Sequence, residues 1–220
     1  MGVCPPAWEW VGGSDPVFSR QDFFTTHVST SANLQRAQGG YPKFHLLKGI
    51  TFTENLVTSC LLNLFHVLPP NKTKLVVISS KGITAAAHKS IPIMIKPVYG
   101  FALEKPHKDK IGAEIITSYL AGMPWDYSQD PEPSLSVMGS ETWRTDEGMP
   151  KEGEWKDQVV VIRPALLTDG EFTGKYRTSY DESLGGYTIS RKDVANLIYE
   201  TTSKEEKWQE AKNQRIVVVY

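Results

Sequence analysis

Four consecutive apolar residues, Val159, Val160, Val161 and Ile162, run straight into an Arg163-Pro164 step. Successive strand residues point to opposite faces, so an unbroken apolar run needs cover on both sides. That demand is met in parallel sheets sandwiched between helices. Pro164 cannot donate a ladder hydrogen bond, which predicts that regular pairing stops there. Residues 165–170 then read as a loop leaving the strand's C-terminal end, where open α/β sheets bind their ligands. A second run over 74–80, KLVVISS, also ends in small polar residues ahead of Gly82. With helical pattern between them, the two runs are predicted to be neighbouring parallel strands.

The helical pattern comes in two pieces. Leu56, Val57, Cys60, Leu61, Leu64 and Phe65 share one face, in a pattern that starts near Thr51 and is stopped by Pro69-Pro70. Ile111, Ile115, Ile116 and Leu120 recur likewise over 107–120, with Pro106 in the first turn and Gly122 and Pro124 ending the helix. Residues 123–156 are far longer than the ~2–6 residues usual for a connection in an α/β unit. They carry Trp125, Trp143 and Trp155 amid Pro, Gly and acidic residues. The segment reads either as a surface insertion pinned by its aromatics or as a lid over the site. Beyond the central strand, 171–188 reads as a loop or hairpin. Ser190 is placed to cap a helix over 191–199, with Asp193 in its first turn. A charged, solvated helix or turn is expected over 204–212, and a last buried strand over 214–220.

The front of the chain is different. Residues 1–38 contain no strand-like run, and Gly12-Gly13 is followed by Ser-Asp-Pro16, which forbids a glycine-rich turn opening a helix there. Residues 39–44, GGYPKF, read as a turn-rich connection. The fold class is therefore α/β: an incomplete Rossmann-like parallel sheet with flanking helices and a long inserted loop at 123–156. Its domain spans 39–220 behind an irregular segment 1–38.

Several functions are disfavoured. A net charge of −1 without a basic stripe argues against nucleic acid. Cys4 and Cys60 are too few for a disulfide framework, and the histidines at 27, 45, 66 and 88 lack ligand spacing, so no metal is expected. No serine lies in G-x-S-x-G. The apolar run 56–68 is interrupted and too short to span a bilayer, and no secretory head precedes it, which leaves a cytoplasmic protein as the expectation. A small-molecule substrate is the expected partner, with the oligomeric state open.

VVVIRPALLTDG followed by GGYTISRKDVANLI resembles the C-terminal half of atypical short-chain dehydrogenases/reductases. The similar branch is the NAD(P)-binding, NmrA-like proteins that include the biliverdin-IXβ reductase group. KLVVISSKGIT is similar to that family's strand ending beside the nicotinamide. HKDKIGAE resembles the helix bearing the Lys of the Tyr-x-x-x-Lys arrangement, and GGYPKF the loop after the fourth strand. The resemblance covers residues 39–220.

It implies NADP or NAD as cofactor. Ser80 or Ser79 would bond the substrate carbonyl or the carboxamide, and Lys110 would hold the cofactor ribose. Gly40, Pro42, Arg163, Pro164, Ala165, Leu166 and Leu167 would lie along the cofactor. The Tyr position is Pro106, and His107 is the nearest titratable substitute. Arg163 is left with two candidate partners, the acidic insertion or a phosphate. The front part that grips the diphosphate in that family has no counterpart in residues 1–38. Three functions stay open: a reductase passing hydride to a carbonyl, quinone or flavin-like acceptor, a dinucleotide sensor without chemistry, and a truncated, inactive remnant.

Overall fold

The computed structural model describes residues 55–71, 73–85, 104–180 and 183–220, and the backbone of two short strands at 43–45 and 49–51. All fall within a compact unit spanning Ala37–Tyr220. The expected irregular segment 1–38, and Gly40 and Pro42 with it, lie outside the described residues.

Strands β1 (Lys43–His45) and β2 (Gly49–Thr51) pair antiparallel, Phe44 opposite Ile50, and β1 begins inside the 39–44 stretch expected to be a turn-rich connection. Helix α1 (Leu56–Val67) follows and ends ahead of the two prolines. Strand β3 (Leu75–Ile78) then leads towards helix α2 (Glu104–Ala121), which holds Pro106 in its first turn. Proline is tolerated there because an α-helix leaves its first N–H groups without intrahelical partners.

The central strand β4 (Val159–Pro164) lies parallel to β3, Leu75 opposite Val159 and Ile78 opposite Ile162. On its other side runs β8 (Arg215–Val219), also parallel. Strand β6 (Arg177–Ser179) closes the far edge antiparallel, giving the order β3-β4-β8-β6. The two apolar runs do lie side by side.

Both faces of β4 are covered. Val159 and Val161 pack with Leu61 and Phe65 of α1, Ile115 and Ile116 of α2, and Trp155. Val160 and Ile162 pack with Val194 of α4 (Arg191–Ser203) and with Trp208 and Ala211 of α5 (Glu205–Ala211). These four apolar residues of β4 are fully buried, each contributing roughly 1.5–3 kcal/mol. Period two sorts them between the layers, and it places Arg163 on the α2 face. Helix α5 is not merely solvated as expected: Trp208 turns inward, its Nε1 3.3 Å from the Asp157 carbonyl.

Helices α1 and α2 meet closely because residue 112 is glycine. A Cβ there would stand 2.7 Å from Thr58 Oγ1. Asn55 gives α1 no side-chain cap; instead Asp109 of α2 accepts from the Val57 and Thr58 amides at 2.9 Å each. A carboxylate from a neighbouring helix thus satisfies two of the amides that α1 leaves open.

The long insertion is pinned by its aromatics, as the first of its two readings expects. It carries a short helical turn, α3 (Leu135–Met138). Trp143 and Trp155 are fully buried, edge-on to Tyr119 and Phe65 respectively. Trp143 Nε1 donates to Glu132, which also binds Arg144 at 2.5 Å. The Tyr119 and Leu120 carbonyls accept from Gly153 and Trp155, which ties the segment to the end of α2.

Two expectations about the end of β4 need correction. Pairing does not stop at Pro164, because proline lacks only the donor: its carbonyl accepts from Lys81 N at 2.8 Å, and it stands opposite Val218. Residues 165–170 are not all loop either. Strand β5 (Leu166–Thr168) pairs parallel with β7 (Thr188–Ser190), a partner 22 positions away that local pattern does not reveal. Ser190 caps α4, its Oγ accepting from Asp193 N at 3.0 Å.

Candidate functional site

The C-terminal ends of β3 and β4 bring Ser79, Ser80, Lys81, Arg163 and Pro164 together, and α2 adds Lys110. Lys110 Nζ donates to the Ser79 carbonyl at 3.0 Å. Burial lowers the Lys110 pKa below the ordinary lysine value, partly offset by the charges of Glu114 and Asp109. Ser79 is buried, and its hydroxyl has no hydrogen-bond partner among the described residues. Such a buried hydroxyl is a donor left over from the network of the described residues. Ser80 differs: it is half-buried and its Oγ donates to the Lys81 carbonyl at 3.3 Å. Of the two serines, Ser79 has the hydroxyl to spare. His107 is buried one turn before Lys110, on the same side of α2.

Arg163 has a partner that neither sequence alternative named. Its Nε and Nη2 meet the two carboxylate oxygens of Glu114 at 2.9 and 2.6 Å. Both side chains are almost wholly buried, at 4% and 0% exposure. Arg215 lies 3.5 Å from the same carboxylate, donates to Ser118 Oγ and Pro124 O, and stands over the Trp125 ring. An arginine inside an otherwise apolar buried strand requires a buried anion, a signal present in the sequence that did not say which acid supplies it.

Two backbone amides just beyond Arg163 are committed within the sheets. Ala165 N donates to Val218 O and Leu166 N to Tyr187 O, while Pro164 has no donor at all. What this stretch offers outward is the side chains of Leu166 and Leu167, both exposed.

Sequence reasoning passed over two further features. Lys81 Nζ donates to the Leu184 and Gly186 carbonyls at 2.5 and 2.8 Å, and Arg177 Nη2 takes Gly185 O between them at 2.6 Å. Two cations thus hold three successive carbonyls of the 184–186 turn beside the end of β3. The second is a cavity of about 200 Å³ lined by Thr84, Trp125, Gln129, Asp130, Arg163 and Arg215. This is below the ~300–1,000 Å³ of typical ligand pockets, so it suits a small group, not a whole dinucleotide. The insertion contributes to its wall, and Asp130 Oδ1 accepts from Ala85 N at 2.8 Å. Among the described residues no group of three His, Cys, Asp or Glu side chains is arranged to hold a metal, and no helix is long and apolar enough to cross a membrane.

No family model matches the chain. It is 25% identical over 179 residues to Reductase pytE of Aspergillus terreus, which covers 77% of this chain and 58% of that protein. The chain therefore spans little more than half the length of this curated relative. Among solved structures it is similar to chuY of E. coli CFT073, at 19% identity and a TM-score of 0.43, covering 77% of this chain and 66% of that one. A second is a short-chain dehydrogenases/reductase of Veillonella parvula DSM 2008 in complex with NADP, at 9% identity and a TM-score of 0.44, covering 76% and 57%. With three parallel strands between two helical layers the chain has a Rossmann-like α/β arrangement, and its sequence is similar to that of Reductase pytE over 179 residues.

Proposed function

We propose that this chain carries the nicotinamide-facing part of an NAD(P)H-dependent reductase acting on a small carbonyl, quinone or flavin-like acceptor. The observation that carries the reading is the pairing of Lys110 with Ser79 at the C-terminal end of β3, beside a buried hydroxyl lacking a partner among the described residues. These residues fit the ribose and carboxamide end of a nicotinamide dinucleotide, NADP or NAD. A bound dinucleotide supplies the hydride, and the protein's part is to position it and the acceptor. Ser79 Oγ donates to the acceptor oxygen or the carboxamide, and the Lys110 ammonium lies beside it. The low pKa of Lys110 favours proton release, and His107, one turn away, is a second proton source. Its partner on this reading is a small molecule in the cytoplasm, with neither nucleic acid nor membrane involved.

A second reading, a sensor that binds a dinucleotide without chemistry, is favoured by Pro106 at the position of the family's tyrosine donor. The diphosphate is the weak point for both. Among the described residues, no glycine-rich turn opens a helix beside a parallel strand. Charge-assisted hydrogen bonds contribute ~1.5–3 kcal/mol each. Losing two weakens binding by more than about a hundredfold at ~1.4 kcal/mol per tenfold.

Titrating the chain with NADPH by fluorescence, then adding menadione, separates the readings. The expected result is binding weaker than micromolar, with slow NADPH oxidation abolished by Lys110→Met. Binding without oxidation supports the sensor. Neither binding nor a thermal shift at millimolar NADPH overturns both.

A further inference from the structure

In a parallel ladder alternate residues of a strand are bonded to the two residues flanking their partner, through evenly spaced, slanted bonds. Between β3 and β4 the sequence of rungs is plain. Leu75 N donates to Gln158 O, Ser79 N to Ile162 O and Lys81 N to Pro164 O, at 2.7, 2.8 and 2.8 Å. With Ile78 opposite Ile162, the donor due at the Ser79 carbonyl is the amide of residue 164. Residue 164 is proline, so that rung cannot form. The Lys110 ammonium occupies the place instead, 3.0 Å from Ser79 O.

We propose that Pro164 is a positioning residue for Lys110: by withholding a backbone donor, it leaves the Ser79 carbonyl as an anchor that draws the ammonium to the end of β3. The missing donor lies in the sheet, and the group it directs lies on a helix far earlier in the chain. Lys110 has three donors, so one spent on Ser79 O leaves two directed elsewhere. Because Ser79 is buried, its carbonyl has no ready recourse to water, and the anchor is correspondingly firm. The consequence for catalysis rests on the reductase reading; the anchor itself does not.

The test is a double-mutant cycle on the whole chain, reading the unfolding equilibrium constant of the wild type, Lys110→Met, Pro164→Ala and the double variant in urea. With Pro164 in place, Lys110→Met orphans the Ser79 carbonyl and is expected to raise that constant about tenfold or more. In the Pro164→Ala background the new amide completes the ladder, so the same substitution should raise it less than about threefold. Equal effects in the two backgrounds overturn the proposal. Should Lys110→Met fail to fold, hydrogen exchange of the new amide at position 164 in Pro164→Ala decides: protection supports a restored rung, and free exchange overturns it. Turnover is read separately. Pro164→Ala is expected to lower kcat for menadione about tenfold with the KM for NADPH unchanged. Absence of turnover in the wild type would refute the reductase reading alone, since the cycle still decides the anchor.

Discussion

Replacing Glu114 by Ala removes the carboxylate that meets Arg163 through two hydrogen bonds, at 2.9 and 2.6 Å, and stands 3.5 Å from Arg215. The Arg163 side chain is 4% exposed and cannot turn to water. Breaking a buried pair from one side costs ~3–5 kcal/mol, because the abandoned charge keeps its desolvation penalty. For a domain of ordinary stability, ~5–15 kcal/mol, that is a large fraction of the total. With a urea m value of ~1–3 kcal/mol/M, the midpoint should fall by roughly 1–5 M. Arg163→Met should cost a similar amount by stranding Glu114, though Arg215 offers it a second cation. The combined Glu114→Leu, Arg163→Met variant should recover most of the loss, since an apolar replacement of the whole pair is often neutral or better. Equilibrium urea unfolding of the four proteins, followed by tryptophan fluorescence, measures each term. Single substitutions costing under ~1 kcal/mol with unchanged m would refute the reasoning, as would a double variant as unstable as the sum of the singles.

Gly112→Ala should destabilise the chain by ~1–3 kcal/mol although alanine favours helices, because the new Cβ meets Thr58 Oγ1 at 2.7 Å and Met138 Sδ at 3.1 Å. A raised urea midpoint would show instead that α1 and α2 can separate freely. At Asp193, burial pushes the carboxyl's pKa up, but donors from Tyr220, Gly174, Thr173 and Ser190 outweigh it and hold the pKa well below the usual range. A depressed carboxylate stabilises the fold fully above the unfolded value of ~3.9 and loses that contribution as pH falls towards the folded value. Asp193→Asn should therefore be less stable at pH 7 and show a flatter acid limb below about pH 4; an identical slope in acid unfolding curves would contradict this. Lys81→Met frees the Leu184 and Gly186 carbonyls. Exchange of the Leu166 amide, which rests on Tyr187 O, should quicken about tenfold, and an unchanged rate would mean the 184–186 turn needs no clasp.

The sequence alone determined the layered α/β architecture, because an apolar run such as Val159–Ile162 tolerates no other surroundings and the helical spacing of Ile111, Ile115 and Leu120 supplies one cover. It also marked Ser190 as a cap, Pro106 as a first-turn residue and Ser79 and Lys110 as candidates, since each is a matter of local stereochemistry or of motif. Only the tertiary structure decided which groups meet. That Arg163 pairs with Glu114, that Asp109 caps a helix other than its own, that β5 finds β7, and that Lys110 stands where Pro164 cannot donate are all settled by register between distant segments. Periodicity says which face a residue turns to its neighbours, whereas the partner on that face is fixed by how strands slide into alignment and how closely helices approach.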